Sequence, residues 1–478
     1  MPNNRKVSPD KLLSLREEIK NHSNAQDEKA KNAVQELEAH MDIVEEMDTN
    51  EKFSLYATLA KYFRNINHYD KCASYSRRAI NLAKRLDKAH TGILIDTYLD
   101  YAGLEREYGQ SADARILLAK LLQLLETKEW GDPLSFGLTF SNLGKVYLDE
   151  ENSQLGIFQL ENALKYFRKV CGHTHPIIAE TIQAISEASI EMEDYSRAMS
   201  LNQELLEAFQ KENNNVQAAK TLLRTGEIYY YIDLKKARDS IVESLSLLKD
   251  LYKTSHLDIA KAYLMLAELE ENVGELPRAI AYYKQSLSQL EDICKADHYL
   301  IVYTYSKLGS LTLQINDLDS AKGYLEKGLS LSTKFPEIRL RFLMQSGKVY
   351  SNLNMHEQAA TKYLEFLKDL KGERRTNSRG YAGILQDTAF SLLKLNNLEE
   401  AADYYAKALS VYEGLKGNYQ KEMDQIHNRL AYCFENIQDG DMQKAALHME
   451  EGIELLGDER TEETLKNKER IEMSYTGG

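Results

Sequence analysis

Cys171, His173 and His175 fall within five residues of one another in the stretch CGHTHPIIAE, and thiolate and imidazole are the usual ligands of zinc. A structural zinc takes four ligands, as a rule in two separated pairs, and no second Cys or His pair follows at finger-like spacing. Cys72, Cys294 and Cys433 form no Cys-x-x-Cys pair either, and all four cysteines read as free thiols of a reducing compartment. No metal site is expected. Nor is there a Walker-type phosphate loop, a Gly-x-Ser-x-Gly elbow or a His-Glu-x-x-His helix. Carboxylates are plentiful but scattered, so no acid–base pair stands out, and neither enzymatic activity nor a cofactor is expected. The basic loop KGERRTNSRG sets Arg374 and Arg375 ahead of Ser378, a loose match to a basic-directed kinase site that reads more simply as a solvated loop.

What then are these residues for? The 478-residue chain is 43% apolar, enough to bury a core, and its 74 acidic against 60 basic side chains leave a net charge of -14. That charge repels phosphate backbones and anionic lipid, which argues against a nucleic-acid partner. Six prolines and 24 glycines, with abundant Ala, Leu, Glu, Lys and Gln, indicate an all-α chain. The start, MPNNRKVSPDKLLSLREEIK, lacks the continuous apolar run of a secretory signal, and ILLAKLLQLLE at 116–126 is far below the ~20 residues of a membrane span. A cytoplasmic protein with no membrane insertion is expected. Nothing in the sequence fixes its oligomeric state.

A repeat supplies the positioning elements. A small residue preceded by a large one and followed three positions on by an aromatic recurs, as in Leu143-Gly144…Tyr147 and Leu59-Ala60…Phe63. The small anchors are Ala60, Ala102, Gly144, Ser186, Gly226, Ala267, Gly309, Gly347, Ala389 and Ala431, at steps of 42, 42, 42, 40, 41, 42, 38, 42 and 42. A second small residue follows each anchor, usually with an aromatic or Leu four later and another small residue three after that, for example Ala279/Tyr283/Ser286 and Ala401/Tyr405/Ala408, after a polar break such as GEL or NDL. Each repeat therefore predicts two antiparallel amphipathic helices. Repeat five is one residue short at its break, in YIDLKKA, and repeat ten about two long, in IQDGDMQKAA.

This pattern resembles the tetratricopeptide repeat family, with Leu-Gly-x-x-Tyr in the first helix and Ala-x-x-x-Tyr-x-x-Ala in the second, over residues 51–456. The 42-residue step, with His175-Pro176 opening a repeat, resembles the longer-helix variety of kinesin light chains. The resemblance implies a right-handed superhelical solenoid of about ten antiparallel helix pairs. His256 and His298 share the phase of His175, each eleven residues before its anchor, so the opening stretch reads as a helix-to-helix corner with Pro176 in the first turn. The implied organisation is a helical cap or short coiled-coil segment over 1–50, the solenoid over 51–456 and a polar tail over 457–478. Within the first segment, Ser8-Pro9-Asp10 signals a helix start, and Ala30, Val34, Leu37, Met41 and Val44 suggest a short helical seam.

Stacked helix pairs leave an extended concave surface, so binding another chain is the expected function. The family lines this groove with the first helix of each repeat. The exposed stripe then comprises residues six before, two before, one after and five after the anchor. Repeats two and four line it with Asp96, Asp100, Glu107, Glu180, Glu187 and Glu191. Repeats seven, eight and ten carry no carboxylate there, and the candidate partner-binding residues are Tyr303, Lys307, Arg341, Gln345, Lys348, Asn352 and Arg429. The expected partner is an extended or acidic segment of another protein. The expected role is a non-catalytic scaffold or adaptor, in a cytoskeletal or ciliary assembly by resemblance to kinesin light chains. The alternative is a peptide-gated regulator with the amino-terminal helices as effector.

Overall fold

The computed structural model describes residues 8–21, 27–370, 376–437 and 440–456, with Lys466 and Glu469. Arg374 and Arg375 of the basic loop, and the tail beyond 456 save those two residues, lie outside the described residues. The chain divides into two compact units, Met1–Ser244 and Leu245–Gly478. Among the described residues, helices make up all the regular structure, and none is long and apolar enough to cross a membrane.

The first unit opens with α1 (Pro9–Asn21), α2 (Glu28–Glu38) and α3 (Met41–Glu46). Four helix pairs follow: α4 (Thr49–Asn65) with α5 (Tyr69–Asn81), α6 (Thr91–Glu107) with α7 (Ser111–Thr127), α8 (Pro133–Asp149) with α9 (Ser153–Phe167), and α10 (Pro176–Glu191) with α11 (Tyr195–Lys211). Repeat five is α12 (Asn215–Tyr230) with α13 (Leu234–Leu251), and the division between units falls inside α13. The second unit contains α14 (Leu257–Val273) with α15 (Leu276–Ile293), α16 (Tyr299–Gln314) with α17 (Leu318–Leu331), and α18 (Pro336–Asn352) with α19 (His356–Asp369). It ends with α20 (Arg379–Lys394) and α21 (Leu398–Gly414), then α22 (Gln420–Asn436) and α23 (Met442–Leu456). Within each unit the second helix of a repeat lies against the first helix of the next, and first helices of adjacent repeats also meet, as α4 with α6 and α16 with α18.

The turn inside eight of the repeats has one design. Seven residues after the anchor the backbone turns left-handed, at Asn67, Gly109, Glu151, Glu193, Gly274, Asn316, Asn354 and Asn396. The next N–H then reaches back to a carbonyl five residues earlier, as Asn152 to Tyr147 at 2.9 Å and Asp317 to Thr312 at 2.9 Å, which closes the helix end. Repeat five, one residue short, omits the left-handed residue, and Asp233 N–H donates instead to Tyr229 at 2.7 Å. In repeat ten the corresponding residues 438–439 lie outside the described residues.

Anchors face the second helix of their own repeat. A Cβ on Gly144 would stand 2.7 Å from Leu160 Cγ and 3.0 Å from the Gly156 carbonyl oxygen. Opposite the anchors Ala267 and Ala389, the residue sixteen positions on is a tyrosine: Tyr283 and Tyr405 are both buried, as are Ala279, Ser286, Ala401 and Ala408. Ser286 Oγ donates across to the Ala260 carbonyl at 2.9 Å. The core assignment of the small and aromatic residues holds.

The histidine corners are also as expected. His175, His256 and His298 are N-caps, each Nδ1 accepting from the N–H two residues on, at 3.3, 3.1 and 3.2 Å. Pro176 opens α10. The amino-terminal seam requires correction. Ala30, Val34 and Leu37 lie on α2, whereas Met41 and Val44 lie on α3, beyond a break at Ala39 and His40. The seam is therefore two short helices, and its buried members join α1 in the core over α4.

Candidate partner-binding groove

The stripe positions of the first helices do not stand free. They form rungs of a ladder between several neighbouring repeats within each unit. In the first unit Lys61 of α4 pairs with Asp100 of α6 at 2.6 Å, Arg64 with Glu107 at 2.7 Å, and Lys145 of α8 with Glu180 of α10 at 2.6 Å. Gln183 of α10 donates to Glu187 at 2.7 Å and accepts from Arg224 of α12. Three of the six acids read from sequence, Asp100, Glu107 and Glu180, are thus paired with cations of adjoining repeats. A cleft of about 270 Å³ remains between α1, α4, α5 and α6, lined by Lys20, Lys61, Asp96 and Asp100 among others. Burial, with Asp100 beside it, raises the Asp96 carboxyl.

The same ladder corrects the carboxylate-free patch of the second unit. Tyr303 Oη donates to Glu268 of α14 at 2.7 Å, and Lys307 Nζ lies 3.1 Å from both oxygens of Glu271. Burial, then these two carboxylates, pushes the Tyr303 phenol well above its ordinary range. Lys348 acts electrostatically on Asp387 of α20, whose carboxyl is raised by burial and held down in part by Lys348 and by a hydrogen bond from Tyr363. The sequence stripe counted only residues on its own helix at four positions. Carboxylates from one turn further along, or from the adjoining repeat, reach in.

What the ladder leaves over is concentrated on α18. Arg341 and Asn352 are exposed, and among the described residues Arg341 has no ion pair. Between them lies Gln345, only 8% exposed, whose Oε1 is buried without a hydrogen-bond partner. Arg429 of α22 is likewise exposed and without an ion pair among the described residues. The seven candidate residues therefore separate. Tyr303 and Lys307 are tied down, Lys348 is shared with Asp387, and Arg341, Gln345, Asn352 and Arg429 remain available.

Cys171, His173 and His175 are not gathered into a ligand set: His175 caps α10, while His173 Nδ1 faces Glu204 at 3.6 Å. A set that sequence reading missed is His427 with His448 and Glu451, brought together by α22 and α23. Burial, then His448, pushes the His427 imidazole down to about 4. Its sequence signal is thin: a His–x–x–Glu step on one helix and a single His twenty-one residues earlier.

Residues 258–334 match the family model described as tetratricopeptide repeat. That match spans repeats six and seven, and over it the chain is similar to the tetratricopeptide repeat family. No curated protein sequence matches it. Among solved structures, the apo form of RapI is 14% identical, with a TM-score of 0.50 over 77% of this chain and 97% of that one. The apo form of the quorum sensor NprR from B. thuringiensis is 16% identical, at a TM-score of 0.44 over 76% and 99%. Kinesin light chain TPR-like repeats from Podosopora anserina are 13% identical, at 0.35 over 41% and 94%. At such identities the likeness is one of fold.

Proposed function

We propose that the chain is a non-catalytic interaction scaffold or adaptor that holds an extended, acidic segment of another protein along the first helices of its second unit, centred on α18. The observation that carries this reading is Gln345. Its amide oxygen is buried with no donor, on the same helix face as the exposed Arg341 and Asn352. Leaving a buried acceptor unsatisfied costs about 1–3 kcal/mol, and a backbone N–H of an extended chain would relieve it. Arg341, four residues earlier, offers a guanidinium fork for a carboxylate, and Asn352 an amide for the backbone. The cytoskeletal or ciliary setting rests on the spacing shared with kinesin light chains and on nothing in the groove.

The test uses short labelled peptides, one set rich in Asp and Glu and a matched set with Lys and Arg, titrated by fluorescence anisotropy. Acidic peptides should bind, and Arg341→Glu with Lys348→Glu should weaken them at least about tenfold, less so as salt rises. Lys307→Glu should have the smaller effect, because Glu271 already holds that cation. Acidic peptides that bind the double variant as tightly as the parent, or lose affinity only when residues 8–48 are removed, would place the interface elsewhere.

A further inference from the structure

The last helix pair brings together three side-chain atoms that the groove does not use. His427 projects from α22, and His448 and Glu451 from α23, where their i, i+3 spacing puts both on one face. His427 Nδ1 lies 3.2 Å from His448 Nδ1, His448 Nδ1 lies 3.2 Å from Glu451 Oε2, and His427 Nδ1 lies 3.4 Å from the same oxygen. The three atoms form a nearly equilateral triangle. Tetrahedral zinc binds imidazole nitrogen and carboxylate oxygen at about 2.0–2.1 Å, which requires ligand atoms roughly 3.3–3.4 Å apart. The triangle matches those edges to within about 0.2 Å.

Hydrogen bonding accounts for the triangle less completely. A carboxylate only accepts, and a proton on either Nδ1 can be aimed at one of the other two corners, so two edges at most are hydrogen bonds. The third edge then sets two like atoms at close range without a bond. A cation at the centre uses a lone pair from every corner. The surroundings also favour a built site. The His427 side chain is 5% exposed and that of His448 20%, whereas Glu451, at 45%, opens to solvent. His448 stacks on Phe434 at 5.6 Å between ring centroids, with 10° between the planes, which holds its ring. Gly452 lets α23 approach closely, since a Cβ there would stand 3.1 Å from Asp424 Oδ1 and 3.2 Å from His427 Cβ.

We propose that His427 Nδ1, His448 Nδ1 and a Glu451 carboxylate oxygen bind a divalent transition-metal ion of the zinc type. Two imidazoles and one carboxylate suit zinc or cobalt(II) over the hard cations magnesium and calcium, which prefer all-oxygen shells. Three protein ligands leave a fourth position, on the solvent side of Glu451, for water or a side chain of a partner. Because the ligands come from both helices, the ion acts as a clasp on the final pair.

The experiment takes the full chain, stripped with chelator, and titrates it with cobalt(II) followed by visible absorption and with zinc(II) followed by calorimetry. One ion per chain is expected, with ligand-field bands of a low-coordinate cobalt site. His448→Gln and Glu451→Gln should each lose that ion or weaken it at least about tenfold while keeping the parent's helical circular dichroism. Both side chains are less buried than His427, so these variants spare the core. Saturating zinc should also slow amide exchange in α22 and α23, about a hundredfold when the ion is a hundred times its dissociation constant. A chain that takes up no ion, or one whose ion survives both substitutions, would reduce the triangle to a hydrogen-bonded cluster.

Discussion

Replacing Gly144 by Ala probes a close approach between the two helices of one repeat. The new Cβ would lie 2.7 Å from Leu160 Cγ and 3.0 Å from the backbone oxygen of Gly156. Carbon atoms prefer about 3.5–4.0 Å, so Leu160 must swing or α8 must lift from α9 by about an ångström. The Leu side chain can move, but the carbonyl cannot, and Gly156 reports the same constraint from the other side, with its own Cβ position 3.2 Å from the Gly144 carbonyl oxygen. Overpacking of this kind costs about 1–3 kcal/mol, against which Ala recovers about 1 kcal/mol of helix propensity. The net expectation is a loss of up to about 2 kcal/mol, confined to the third repeat. Gly103 supplies the control. It lies within α6 with no heavy atom within 4 Å of its Cβ position, so Gly103→Ala should gain up to about 1 kcal/mol. Hydrogen exchange resolved by peptide is the appropriate assay, because a repeat array opens locally and each 1.4 kcal/mol appears as about tenfold in protection. Gly144→Leu should open α8 and α9 further, while Lys145→Ala, which removes only an exposed pair to Glu180, should change protection by under about 1 kcal/mol. Equal protection in Gly144→Ala and Gly103→Ala would refute the close-approach assignment.

Other substitutions test the turn, the corner and the charge ladder. Asn316 has φ 61°, so Asn316→Ala should cost about 1 kcal/mol or more and Asn316→Gly little, read as exchange at the α16–α17 turn. His298→Ala removes the α16 cap and should cost about 0.5–2 kcal/mol in that helix, with His298→Asn restoring most of it. Burial raises the Asp387 carboxyl, so the folded state holds its proton more readily than the unfolded chain, and its contribution to stability falls as pH rises through the folded value. The advantage of Asp387→Asn over the parent in α20 protection should therefore be largest near neutral pH and shrink on acidification; an advantage that grows in acid contradicts the assignment. Finally, replacing His173 and His175 together should leave metal content, measured by elemental analysis, unchanged.

The sequence revealed what repeats and concealed what links one repeat to another. Anchors, buried tyrosines and histidine caps recur at fixed phase because each repeat solves the same packing problem, so a single chain displays ten attempts at one answer. Even the missing left-handed residue of repeat five shows as a one-residue deletion in YIDLKKA. The pairing of Lys307 with Glu271, by contrast, joins residues 36 apart on different helices, and Glu271 lies outside the stripe positions considered. Phase identified which residues face the groove but not how far a long side chain reaches along it. The His427 triangle was hidden for a related reason: His427 lies on a different helix from His448 and Glu451, and the set does not recur in other repeats. The seam over 30–44 was misread because apolar spacing alone continues across the break at Ala39 and His40.

The lateral ladder also gives the array an addressing system. Some repeats share the same packing between an anchor and its opposite side chain, as Gly144 with Leu160 and Gly309 with Leu325, so by core shape alone such repeats could trade places or pair out of order, the typical failure of repeat proteins during folding. The polar rungs are not interchangeable. Lys61 meets Asp100, whereas the equivalent residue of repeat six, Glu268, meets Tyr303. Transplanting repeat six beside α6 would set Glu268 and Asp100 toward each other and lose the acceptor for Tyr303, a penalty of like charge against like. Surface pairs that add little to the stability of the correct order can still make the wrong order costly, and a recombined or duplicated repeat would be rejected by its neighbours despite carrying an acceptable core.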